Sequence, residues 1–200
     1  MDNKIKGFYS EKIMLYLLIL LFFAGEIAGT AVCCIVNTNG IVNDFICNRL
    51  YCTFIQTVIN SFSTTFILII LCAVLGMGAF FQLFEAGVPF FYGLGAGMLL
   101  AEMNCSYGFK GMLCSLVMIV PYTTIYAIIV IISSREALMM SNALMENILM
   151  ECSTKRKFDF NLYLTKFLLL IIIAAIVSIV DSVITYFFMG FWIDLLDIII

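Results

Sequence analysis

The sequence predicts an all-α polytopic membrane protein: one transmembrane domain over residues 1–200, with about five transmembrane helices, a broken Gly/Pro-rich central hairpin and interfacial amphipathic helices. Three observations predict it. The chain of 200 residues is 64% hydrophobic and only 12% charged, with a mean hydropathy of +1.15, a composition that excludes a soluble domain. Several apolar runs approach or exceed the roughly 20 residues that cross a bilayer core. Residues 81–121, taken with Gly76 and Gly78 just upstream, hold both prolines and eight of the thirteen glycines. Proline removes a backbone donor and glycine lets backbones approach closely, so this segment reads as a broken, tightly packed pair of membrane helices.

The first span is expected over residues 13–36. It follows Lys4, Lys6 and Lys12 in the manner of a signal peptide, but the apolar run is too long for one, so an uncleaved helix is expected. Gly25 and Gly29 give it a small-xxx-small face with Glu26 between them. Residues 37–60 are more polar, and Ile46, Leu50, Phe54, Val58 and Ile59 recur at helical spacing, which fits a surface amphipathic helix or the wet start of the second span. That second span is expected over 62–84, ending at Glu85 and the break Gly87-Val88-Pro89. A short third span covers 88–101, followed by a polar link over 102–111 in which Gly108 and Gly111 bracket Lys110.

The fourth span, 112–132, has Pro121 near its middle, with Thr123 and Thr124 placed to cover a freed carbonyl. Residues 135–152 put Ala137, Met140, Leu144 and Ile148 on one face and Glu136, Asn142 and Glu146 on another, as an interfacial helix would. Lys155, Arg156 and Lys157 follow, then the fifth span over 167–189 and a tail with Trp192, Asp194 and Asp197. With the N-terminus in the cytoplasm, five spans place eight basic residues inside and only Arg49 and Lys110 outside, which sets the orientation and puts the C-terminus outside. The basic cluster at 155–157 would also contact anionic membrane lipid.

Candidate functional groups are few. Glu26 and Asp181 are the intramembrane acids, and a charge at mid-bilayer costs at least a few kcal/mol unless it is paired. Each could move a proton or bind a cation, or serve only in packing. Glu85 and Glu102 fall at span ends, where solvation is expected. The chain has no histidine, which removes the usual zinc ligand, neutral-pH base and haem ligand. None of the eight cysteines forms a C-x-x-C pair, so no metal or cofactor site is expected. A disulfide is conceivable among Cys33, Cys34, Cys47, Cys52 and Cys105. Gly93, Gly95 and Gly97 lack the strand-to-helix context of a phosphate loop and suit helix packing instead. Asn104-Cys105-Ser106 matches a glycosylation sequon of low specificity. The formal charge of −3 is small, and no nucleic-acid partner is expected.

The order Glu85-Ala86-Gly87-Val88-Pro89, Tyr92-Gly93-x-Gly95, Tyr107-Gly108-Phe109-Lys110-Gly111 and Ile119-Val120-Pro121 resembles the stage II sporulation protein M family, as do the length and the five expected spans. The resemblance covers mainly residues 76–135, with support from Phe23-Ala24-Gly25 and Gly29 in the first span. After Pro121, Tyr122-Thr123-Thr124 replaces the amide-containing stretch of the family. The resemblance implies a non-enzymatic bacterial membrane scaffold at the sporulation septum. It would recruit the peptidoglycan-degrading stage II sporulation proteins P and D for engulfment, and could form a homo-oligomer. The rival from a different class is a small secondary transporter or ABC-type permease subunit that uses Glu26 or Asp181.

Overall fold

The computed structural model describes residues 2–36, 53–149 and 160–196, with side chains over 12–35, 53–145 and 160–187. The described residues form helices α1 (Asp2–Val36), α2 (Phe54–Leu75), α3 (Gln82–Cys114), a π-helical turn (Ser115–Ile119), α4 (Val120–Leu149) and α5 (Phe160–Leu196). Four apolar helical runs are long enough to cross a membrane: Lys12–Ile35, Phe54–Leu75, Gln82–Met145 and Phe160–Phe187. The third is 64 residues long, about 96 Å at 1.5 Å per residue, roughly three times a bilayer core. It is not straight. Gly108 has φ 56° and ψ −132°, a left-handed conformation that side chains with a Cβ rarely adopt. Beyond it the chain folds back, because a Cβ on Gly111 would lie 2.2 Å from the carbonyl oxygen of Met103. In an unbroken helix, residues eight apart are separated by about 12 Å.

Helix directions follow from the contacts. On α1, Gly25 meets Phe90 of α3, and one turn further on Gly29 meets Leu94, so α1 and α3 run parallel. Cys72 lies beside Ser134, Gly76 beside Ala137 and Gly78 beside Ser141, so α2 and α4 run parallel too. Tyr163 bonds Ala73 and Ser178 bonds Val58, which makes α5 antiparallel to α2. One core joins α2, α3, α4 and α5 through Ile69, Cys72, Val88, Tyr126, Val130, Ala137, Tyr163 and Phe167. A smaller one seats Leu18 and Phe22 of α1 against Ala127, Ile131 and Leu138 of α4.

Several boundaries differ from the sequence expectation, each for a physical reason. The second span begins at Phe54, eight residues before the expected 62, and ends at Leu75. Thr53 caps it: its backbone N–H and its hydroxyl both donate to Gln56 Oε1, at 3.1 and 3.0 Å. Residues 37–52, which carry most of the expected amphipathic segment, lie outside the described residues. The break expected at Gly87-Val88-Pro89 lies instead at residues 76–81. There Gly76 packs so closely that a Cβ would sit 2.4 Å from the Tyr163 hydroxyl and 2.8 Å from Ala137 Cα. Pro89 lies inside α3, where its missing N–H leaves the carbonyl of Glu85 without the usual i+4 donor.

The expected polar link at 102–111 is helical except at Gly108. Pro121 is accommodated by the π-helical turn directly before it, a known response to an interrupted ladder. The Thr123 hydroxyl donates to Ile119 and Val120 carbonyls at 2.9 and 3.2 Å, and Thr124 donates to Val120 at 2.7 Å. These are neighbours of the carbonyl of Val117 that the proline leaves without its usual donor. Over 135–149 the expected interfacial helix is the continuation of α4, with Ala137, Leu138, Met140 and Ser141 buried, and residues 150–152 lie outside the described residues. The basic cluster at 155–157 and Asp197 lie outside the described residues.

Replacing Gly25 by Leu forces a side chain into the Phe90 carbonyl, which a Cβ alone would approach to 2.1 Å. Overpacking of this kind costs up to about 3 kcal/mol, and at about 2–4 °C per kcal/mol the expected fall in melting temperature in detergent is roughly 6–12 °C. Gly95→Ala, at a position where a Cβ meets nothing within 4 Å, should shift the same melt by less than about 2 °C.

Candidate functional site

The glycines singled out in the sequence have different surroundings. Gly25, Gly29, Gly93 and Gly97 form one contact in which each faces a carbonyl of the opposite helix. A Cβ on Gly25 would lie 2.1 Å from Phe90 O, on Gly29 2.1 Å from Leu94 O, on Gly93 2.2 Å from Phe22 O and on Gly97 2.1 Å from Glu26 O. Gly87 has only ordinary neighbours, at 3.7 Å or more, and Gly95 faces away from α1 into a groove. Gly93, Gly95 and Gly97 therefore do not share one face, because residues two apart on a helix point to nearly opposite sides.

The structure does not bring the two intramembrane acids together. Glu26 is half-buried on α1 next to α3. Asp181 lies on α5, where the Ser61 hydroxyl of α2 donates to its Oδ2 at 3.3 Å. It borders a cavity of about 290 Å³ between α4 and α5, lined also by Pro121, Tyr122, Tyr126, Val177 and Thr185. A second groove of about 360 Å³ lies between α2, α3 and α4, with Thr64, Thr65, Tyr92, Gly95, Tyr122 and Thr123 in its wall. Tyr122 borders both. The walls are mainly apolar, with one carboxylate and several hydroxyls, so the spaces suit apolar groups or chains with a small polar contact.

The acids that sequence reasoning put in solvent are inside. Glu85 is 0% exposed and Glu102 is 4% exposed. Because α2 stops at Leu75 and α3 begins at Gln82, Glu85 falls in the first turn of α3 and points into the bundle. Neither of its carboxylate oxygens has a hydrogen-bond partner among the described residues. It lies within electrostatic reach of Cys72 on α2 and Tyr163 on α5. Around these two, Cys72 Sγ and Ser134 Oγ are 3.5 Å apart, and the Tyr163 hydroxyl donates to Ala73 O at 2.9 Å. At the same end of the bundle, Glu136 is ion-paired with Lys166 and lies 3.7 Å from Arg135. The sequence signals for this cluster were the pair Gly76 and Gly78, which place the turn before Glu85, and the small pair Ser133-Ser134 opposite.

Cys33, Cys34, Cys72, Cys105 and Cys114 are free thiols; Cys47, Cys52 and Cys152 lie outside the described residues. No group of three or more His, Cys, Asp or Glu side chains able to hold a metal occurs among the described residues. Residues 104–106, the sequon match, are helical.

The fold is all-helical, with four apolar runs compatible with a multi-pass membrane protein. The chain matches no family model, no characterised protein and no solved structure at a significant level.

Tyr163 ties α5 to the C-terminal end of α2, so Tyr163→Phe leaves the Ala73 carbonyl without that donor. The expected loss is about 0.5–1.5 kcal/mol, read as a drop of roughly 1–6 °C in the detergent melt.

Proposed function

We propose that the chain is a five-pass bacterial membrane scaffold of the stage II sporulation protein M type. Its N-terminus lies in the cytoplasm and its C-terminus outside, and it holds the peptidoglycan-degrading stage II sporulation proteins P and D at the sporulation septum. The observation that carries the proposal is where the residues of the resemblance fall. Glu85 lies at the buried foot of α3, Gly93 and Gly97 at its contact with α1, and Gly108 and Gly111 at the sharp turn within it. A motif that supplies the turning and packing points of a bundle, rather than a cluster of reactive groups, suits a protein that acts by holding others in place.

Five passes follow if Gln82–Met145 crosses twice, with its turn at Gly108. Lys110 then lies outside, and Arg135 and Lys166 lie near the inner surface. The cavity beside Asp181 favours one second reading, a small transporter in which this carboxylate carries a proton or cation.

In a spore-forming host, deletion of the gene should arrest engulfment, and the tagged protein should bring down P and D. Normal engulfment in the deletion strain would refute the scaffold. Asp181→Asn separates the readings: a scaffold keeps recruiting its partners, whereas a carrier loses transport. The topology has its own test, in which a single cysteine at position 110 is labelled by an impermeant maleimide in intact cells and one at position 156 only after lysis. Labelling of position 156 in intact cells would reverse the orientation.

A further inference from the structure

The cavity of about 290 Å³ between α4 and α5 joins one carboxylate to a wall that is otherwise apolar or hydroxylic. One side is a face of α5, where Val177, Asp181, Ile184 and Thr185 recur at helical spacing. The other is a face of α4 carrying Tyr122, Ile125 and Tyr126. The π-helical turn Ser115–Ile119, directly before Pro121, contributes to the same wall, and single turns of this kind are frequent at functional sites.

Position sets what can enter. Tyr126 and Thr185 are buried, whereas Ile125 and Ile184 are exposed on the apolar outer surface. The space therefore runs from a buried floor to the side that faces hydrocarbon, and a ligand arriving from the bilayer needs an apolar body. A cavity of about 150 Å³ is enough for one benzene ring, so this one has room for a ring with a short chain.

Asp181 sets the head group. The Ser61 hydroxyl of α2 donates to its Oδ2 at 3.3 Å and so fixes the carboxylate at the cavity. A carboxylate accepts several hydrogen bonds at once, so this bond is compatible with a second one from a ligand. Among the described residues that line the cavity Asp181 is the one acid, and none is lysine or arginine. Such a wall repels an anion and holds an ammonium through a charge-assisted bond. Tyr122 and Tyr126, with ring centroids 4.7 Å apart, add aromatic surface of the kind that favours organic cations.

We propose that this cavity binds a monovalent organic ammonium, with an apolar ring or short chain inside it and the cationic head on the Asp181 carboxylate. The site goes beyond both readings of the function, because it requires neither recruitment of partners nor movement of the ligand across the membrane.

The test compares three probes with one apolar body, 3-phenylpropylammonium, 3-phenylpropan-1-ol and 3-phenylpropionate, in thermal melts of the purified full-length protein in detergent at pH 7 and constant ionic strength. At tenfold above its dissociation constant the ammonium should raise the melting temperature by about 3–6 °C, saturably. The alcohol should need roughly tenfold higher concentration for the same shift, and the carboxylate should give none. Asp181→Asn should bring the ammonium down to the level of the alcohol, and Val177→Phe, which fills the cavity and keeps the acid, should abolish the response to both. Equal shifts with ammonium and alcohol in the wild type would overturn the proposal without any variant having to fold. So would the lack of a saturable ammonium shift, or an undiminished one in Asp181→Asn. Because binding is read on solubilised protein, a negative result leaves the scaffold and carrier readings to their own experiments.

Discussion

The bundle depends on the approach of α1 to α3, glycine against carbonyl. In a bilayer the hydrophobic effect does not draw helices together, since lipid tails are as apolar as leucine, and association rests on close packing and polar contacts. Here four glycines, two on each helix, each meet a carbonyl of the other: Gly25 with Phe90, Gly29 with Leu94, Gly93 with Phe22 and Gly97 with Glu26. Backbones this close bring glycine Cα hydrogens toward carbonyl oxygens, a weak bond worth about 0.5–1 kcal/mol each. The reciprocity requires two parallel helices at one register. A parallel neighbour two elements further along the chain needs an intervening helix of opposite direction, which α2 supplies.

The other half of the bundle is joined differently. Between α2, α4 and α5 the apolar core is joined by hydroxyl bonds, Tyr163 to Ala73, Ser178 to Val58 and Ser61 to Asp181 between helices and Ser141 to Gly78 of the link after α2. Interhelical bonds of this kind average about 0.6 kcal/mol in a membrane protein, so several are needed for what one tight glycine seam achieves. They are more specific in register, because each joins one named hydroxyl to one acceptor. Leu18 and Phe22 of α1 packing on Ala127, Ile131 and Leu138 of α4 connect the two halves.

Much of this was legible in the sequence, but unevenly. The helical class and the apolar runs follow from composition, because a backbone in lipid must satisfy its own hydrogen bonds. The face formed by Gly25 and Gly29 is visible as a four-residue spacing, but its partner is not, since Gly95 between Gly93 and Gly97 obscures the same spacing on α3. The start of α2 was encoded in Thr53 and Gln56, a capping pair hidden within a polar stretch. Proline misled once. Pro89 read as a break, yet it sits within a helix while the chain turns at Gly76–Phe81 and at Gly108, whereas Pro121, expected inside a span, lies inside a helix with a π-helical turn just before it. Helix-terminal position in sequence likewise suggested that Glu85 is solvated, and only packing shows that it is not.

That last error is instructive about the solvent. In water, an acid near the end of a helix would face outward and the phenylalanines beside it inward. Here Leu83 and Phe84 are 87% and 67% exposed while Glu85 is fully enclosed. The same inversion runs through the molecule: Thr57, Ser61, Thr65, Ser133, Ser134, Ser141, Ser178 and Ser182 are buried, and Phe, Leu and Ile side chains form the outer surface. Burying hydroxyls while exposing isoleucine is unfavourable in water and favourable in hydrocarbon, where polar groups must find partners within the protein. Glu85 follows the same rule, enclosed among the helices while its apolar neighbours face out.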